Sequence, residues 1–211
     1  MQLLCHRGYW TRPEEKNTLP AFARALEAGH GIETDVRDRA GELVVSHDPA
    51  TAEAPRLSEL LALHARLNPR APLALNIKAD GLSPLLAAAL RAHPGAAACF
   101  CFDMSAPETL RYRRDGLRFF TRQSEFEPDP VLLADAAGVW LDCFERDWIE
   151  DSHLAARLSA GREAALVSPE LHGRDPATAW ARLAASPWRH HEHLLLCTDR
   201  PANARTTILA P

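Results

Sequence analysis

Short apolar runs alternate with longer amphipathic ones along this chain. Residues 2–5 are the first apolar run and read as a strand. Residues 18–28 then put Leu19, Phe22, Ala25 and Leu26 at helical spacing, with Gly29 as the stop. Asn17 or Thr18 suits the cap, and Pro20 suits the first turn. Strands are predicted over 31–37 and, past the Ala40-Gly41 turn, over 43–46. The rhythm continues with helix 57–67, strand 73–77, helix 83–92, strand 97–102, helix 106–114 and strand 117–121. It closes with helix 131–137, strand 139–143, helix 151–159, strand 164–167, helix 176–185 and strand 194–198, the last helix being short or absent.

Alternating strands and helices imply a parallel sheet, and eight repeats imply an α/β fold of the (β/α)8 TIM-barrel type. No low-complexity or Pro/Gly linker divides the series, so residues 1–211 are expected to form a single domain. A doubly wound open sheet does not need eight repeats. No Gly-x-Gly-x-x-Gly follows a strand to support dinucleotide binding.

Composition narrows the function classes. With 211 residues, 46% of them hydrophobic, the chain can bury one good core. A formal charge of −4 carries no basic footprint, so no nucleic-acid partner is expected. There is no 18-residue apolar run, so no stable membrane insertion is expected. The N-terminus lacks the basic and apolar regions of a signal peptide. The five cysteines are odd in number and lie in apolar runs, which suits reduced, buried thiols and a cytoplasmic location. The oligomeric state stays open.

Barrel chemistry sits at the C-terminal ends of the strands. His6 and Arg7 end the first strand. Glu33 and Asp35 lie on the second strand two residues apart, so their side chains share a face. Asn76 and Lys78 repeat that spacing on the third strand, and Cys101 and Asp103 on the fourth. His47 follows the small extra strand. Imidazoles move protons near neutral pH, a guanidinium clamps phosphate oxygens, and paired carboxylates hold a hard cation. Two carboxylates on one inward face are costly unless a cation or bases neutralise them.

These residues resemble the glycerophosphodiester phosphodiesterase family. The matching text is His6-Arg7-Gly8, Asn17-Thr18-Leu19-Pro20-Ala21-Phe22, Gly31-Ile32-Glu33-Thr34-Asp35-Val36, Leu43-Val44-Val45-Ser46-His47-Asp48-Pro49, Ile77-Lys78 and Thr198-Asp199-Arg200-Pro201. The resemblance implies a metal-dependent phosphodiesterase that splits a small-molecule phosphodiester into an alcohol and a phosphomonoester. It implies one divalent cation, Mg²⁺ or Ca²⁺, on Glu33, Asp35 and Asn76. Arg7 and Lys78 would bind phosphate, with His6 and His47 as general acid and base in an order the residues leave open. A phospholipase D-like lyase forming a cyclic phosphate is the alternative. So is a barrel that binds a phosphorylated ligand without turnover.

The chain departs from the family pattern in three places. Asn76 stands where the family has a Glu ligand, and Asp103 is a candidate to compensate. The Glu of the family's Glu-Asn-Thr becomes Lys16, with Glu15 displaced by one position. Only residues 48–56 separate His47 from the next helix, where relatives commonly carry an insertion; this leaves a more open mouth. Tyr9 and Trp10 either line a substrate pocket or cover the core edge. Glu170, His172 and Arg174 follow the seventh barrel strand and either contact the leaving group or form a plain polar loop. His190-His191-Glu192-His193 and His30 precede strands, so they fall at the opposite rim and read as decoys.

Overall fold

The computed structural model describes residues 1–210. Its strands are β1 (Gln2–His6), β2 (Gly31–Arg39), β3 (Glu42–Val45), β4 (Leu73–Ile77), β5 (Cys99–Phe102), β6 (Phe120–Gln123), β7 (Gly138–Leu141), β8 (Glu163–Val167) and β9 (Leu194–Thr198). Its α-helices are α1 (Leu19–Glu27), α2 (Leu57–Leu67), α3 (Ser83–Arg91), α4 (Ala106–Arg114), α5 (Asp151–Leu158), α6 (Ala177–Ala185) and α7 (Pro201–Ile208). The parallel strands and intervening helices are those of the expected (β/α)8 barrel, with β3 as the antiparallel addition.

The chain packs as two compact units. His6–Phe119 is one of them. There β2 pairs in parallel with β4, setting Asp35 opposite Asn76, and β4 pairs in parallel with β5. The far end of β2 turns back onto β3 through Ala40 and Gly41, whose φ angles of 51° and 82° make the primed turn that suits a two-residue hairpin. Helix α1 starts where the Thr18 side chain accepts from the Ala21 N–H, and it buries Phe22 and Leu26.

The other unit joins Met1–Cys5 to the chain from Phe120 onward. Its parallel strands run in the order β6-β7-β8-β9-β1. Val139, Leu141, Leu166, Leu194 and Leu196 from the strands pack in one core with Leu154, Trp180, Leu183 and Ile208 from the helices. Two-residue alternation on the strands and helical spacing on α5 and α6 bring these residues to one interior.

One expected element is corrected. Residues 131–137 form turns instead of a helix. The segment is too short to repay helix nucleation. Leu132 has a φ of 54°, outside the helical region, and the Val131 carbonyl accepts from Thr121 Oγ1 at 2.6 Å. The last helix, expected to be short or absent, is the short α7, with Pro201 at its first turn. A smaller shift affects β6, which begins at Phe120; the stretch before it makes only a bridge, Phe119 to Cys101. All five cysteines are free and buried, as expected. Among the described residues, no helix is long and apolar enough to cross a membrane.

Candidate active site

The end of β1 is locked before any chemistry is considered. Arg7 has a φ of 56°, a conformation that costs a side-chain-bearing residue energy and persists only where its surroundings over-determine it. Here both peptide groups are used. The Arg7 N–H donates to the Glu33 carbonyl at 2.9 Å, and the Arg7 carbonyl accepts from the Asn17 N–H at 2.9 Å. Asn17 and Asp103 are also left-handed, at 59° and 70°. Gly8 follows with φ 92°, and a Cβ there would meet Ala21 Cβ at 2.9 Å. Gly8→Ala is therefore expected to destabilise the fold by about 1–3 kcal/mol. A shift of the urea midpoint at unchanged slope would report it.

Asp35 is the hub of the site. It is 1% exposed. Arg7 Nε lies 3.1 Å from Asp35 Oδ2, and Asn17 Nδ2 donates to the same oxygen at 2.9 Å. Lys78 Nζ lies 3.5 Å from Asp35 Oδ1 and 3.6 Å from Asp103 Oδ2. Thr34 Oγ1 donates to Asn17 Oδ1 at 2.9 Å and fixes which way that amide points. Asn17 was legible only as a cap or as part of a motif; Thr18 takes the cap, and Asn17 instead orients a carboxylate. The signal for that was an Asn before a cap residue, since Asn tolerates the left-handed region better than most residues.

Glu33 is equally buried. His6 Nε2 lies 3.9 Å from its Oε2, and Asn76 Nδ2 donates to its Oε1 at 3.4 Å. Burial pushes the Glu33 carboxyl above the usual carboxylate range. The Asp35 charge works in the same direction, while His6, Arg7 and Lys78 oppose it.

Asp35 Oδ1 and Asn76 Oδ1 are buried acceptors without a hydrogen bond among the described residues. Such oxygens are what a hard divalent cation takes as ligands. Together with Glu33 they form an all-oxygen donor set on adjacent strands, and this set fits a divalent cation.

His6, Arg7, Glu33, Asp35, Asn76, Lys78 and Asp103 thus lie in one chain of contacts. His47 is exposed, with Nδ1 3.0 Å from Asp48 Oδ1. Its backbone is held because Arg37 Nε donates to its carbonyl at 3.0 Å, and the neighbouring Ser46 N–H donates to the Asp35 carbonyl at 3.1 Å. Trp10 Nε1 donates to the His6 carbonyl at 3.1 Å, and Lys16 Nζ stands 4.5 Å over its ring. The Tyr9 ring lies edge-on to His30, 6.1 Å away. Glu15 holds the loop before α1, accepting from Arg24 Nη2 at 2.5 Å and from the Thr11 N–H at 2.9 Å.

In the other unit, Glu170 accepts from the Ser168 and Thr198 hydroxyls and ties the ends of β8 and β9. His172 Nε2 lies 2.6 Å from Asp142 Oδ1, and its ring rests against Phe144 at 5.0 Å. Asp142, just past β7, drew no notice in the sequence because nothing next to it bears chemistry. Arg174 donates to Asp147 at 2.7 Å and to the Cys143 carbonyl at 2.6 Å.

The model of the Glycerophosphoryl diester phosphodiesterase family matches residues 6–78. Over these residues the chain is similar to that family. The matched stretch holds His6, Arg7, Glu33, Asp35, His47, Asn76 and Lys78. Among solved structures, the chain resembles a protein from Galdieria sulphuraria assigned as a glycerophosphodiester phosphodiesterase. The TM-score is 0.73 at 16% identity, covering 99% of this chain and 97% of that one. It also resembles a Ca²⁺-dependent phosphatidylinositol-specific phospholipase C from Streptomyces antibioticus. There the TM-score is 0.58 at 15% identity, covering 97% of this chain and 96% of that one. At these identities the likeness establishes the barrel fold. No curated protein matches.

Proposed function

We propose that this chain is a metal-dependent phosphodiesterase that cleaves a glycerophosphodiester-like substrate to an alcohol and a phosphomonoester, with residues 1–211 as one catalytic domain. The observation that carries this reading is the buried Glu33 and Asp35 pair, flanked by His6, Arg7 and Lys78 and joined by an unbonded Asn76 oxygen. Carboxylates alone would repel a phosphate. With two side-chain cations and a bound metal the site attracts one.

Glu33, Asp35 and Asn76 would hold Mg²⁺ or Ca²⁺, which supplies positive charge to the nonbridging phosphate oxygens. Arg7 and Lys78 bind the same phosphate. Asp35 keeps both cations in place and Asn17 keeps Asp35 in place. One of His6 and His47 takes the proton of the attacking water at a ring nitrogen. The other delivers a proton to the departing alkoxide oxygen. Asp48 orients the His47 ring for that work.

A panel of phosphodiesters incubated with Mg²⁺, Ca²⁺ or a chelator tests the reading. Turnover that the chelator stops supports it; absence of turnover with either metal refutes it. Asn76→Glu tests the ligand set. Added charge is expected to tighten the cation by at least about tenfold, within the range that ligand charge spans. It should also lower the melting temperature of the metal-free protein, because three carboxylates then face one another. Unchanged affinity in a titration would remove Asn76 from the set.

A further inference from the structure

A second cluster of metal-binding side chains lies at the opposite end of the strands from the proposed catalytic residues. His64 is on α2, His93 follows α3, and Cys99 opens β5. They are 0%, 8% and 1% exposed. One donor atom from each lies within 4.8 Å of the other two. Cys99 begins the strand that Asp103 follows, so the two centres are separated by about 13 Å along it.

The surroundings suit ligation. His64 Nε2 is 2.8 Å from the Ala71 carbonyl, which only accepts, so in the neutral ring Nε2 carries the hydrogen. That leaves the Nδ1 lone pair turned toward His93 Nε2, 2.8 Å away. A backbone carbonyl on the far nitrogen is the outer contact that orients metal-binding histidines. Gly95 has an ordinary φ of −92°, yet a Cβ there would meet His64 Nδ1 and His93 Nε2, each at 2.8 Å. Space over the nitrogens, rather than backbone conformation, calls for glycine at this position. A cavity of about 460 Å³, lined by Leu90, Ala96, Cys99 and Leu117 among others, reaches the cluster at Cys99.

The geometry points to a binding site for one thiophilic monovalent ion, Cu⁺, on His64 Nδ1, His93 Nε2 and Cys99 Sγ. Two imidazoles and a thiolate select soft ions over Mg²⁺ and Ca²⁺. Charge selects further. A lone thiolate neutralises one positive charge, and a site this buried tolerates little net charge. On binding, the Cu–S bond forms and the thiol proton leaves to solvent. His93 Nε2, which donates to His64 Nδ1 before the ion enters, loses that hydrogen to solvent while Nδ1 takes one up, so the ring stays neutral and its Nε2 lone pair is freed for copper. Copper stays monovalent, so no redox partner is needed.

Anaerobic competition against a chromophoric Cu⁺ chelator tests this on the full chain. One equivalent is expected to be retained. X-ray absorption should then show one sulfur and two nitrogens around copper. Cys99→Ala, and separately His93→Gln, should weaken retention by more than about 100-fold, the upper range for losing an outer contact alone. Circular dichroism identifies any variant that misfolds, and Cys197→Ala, in the other unit, should retain copper fully. No retention by the wild type would overturn the proposal. So would equal retention by a folded Cys99→Ala chain, or stoichiometric Zn²⁺ binding with no Cu⁺ binding.

Discussion

His6→Ala and His47→Ala are each expected to lower kcat by about 10²–10⁴-fold, the usual contribution of a positioned acid or base. Neither change should disturb the fold. His47 is exposed, and the contact of the His6 carbonyl with Trp10 Nε1 is a backbone one that the substitution keeps. Thermal melts within a degree or two of wild type are therefore expected for both. The double variant should lose little more than the worse single one, because two groups that act as a unit in one transition state are not additive. The pH profiles divide the roles. Losing the base removes the acidic limb of the rate profile, and losing the acid removes the basic limb. Near-normal rates in either single variant would refute its assignment.

Asp35→Asn is expected to have the second large effect. The amide keeps the shape and the buried position but loses the charge that Arg7 and Lys78 face. Part of the vacated role passes to Glu33, whose ionisation the Asp35 charge had opposed. The metal-free variant should therefore fold. Its response to a divalent cation is where it should fail. Cation at about one hundred times its Kd adds about 2.7 kcal/mol to the stability of a protein that binds it. Wild type should show this gain in Ca²⁺ or Mg²⁺, and Asp35→Asn should show none. Its kcat/KM should fall by about 10²–10³-fold, the scale of removing one strong electrostatic contact at the reacting group. An equal cation-induced gain in both chains would remove Asp35 from the ligand set.

Most of the barrel was legible because strands and helices bury different periods of the same apolar residues. Helices 57–67 and 106–114 and strands 73–77 and 194–198 were read to the residue. The failures have local causes. Residues 131–137 carry helix-forming Leu and Ala, yet the run is short and a threonine side chain from β6 takes a carbonyl that a helix would need. The pairing of Glu33 with Asp35 followed from strand alternation alone. Asn17 was harder, because its use depends on a left-handed backbone and on Thr34 reaching across, and neither leaves a pattern at fixed spacing. The Asp142 and His172 pair joins residues thirty positions apart, through a fold contact that no single-strand rule encodes. His64, His93 and Cys99 were invisible for the same reason: they meet only once α2, α3 and β5 are assembled.

The central claim is cleavage of a phosphodiester at phosphorus by water, with His6 and His47 moving the protons. Phosphorus NMR of the reaction run in ¹⁸O-water with Mg²⁺ or Ca²⁺ tests it most directly. The expected result is a phosphomonoester carrying one ¹⁸O, absent when a chelator is added or when His6→Ala replaces the wild type. A persistent cyclic phosphate without ¹⁸O, or a diester signal that never changes, would contradict it.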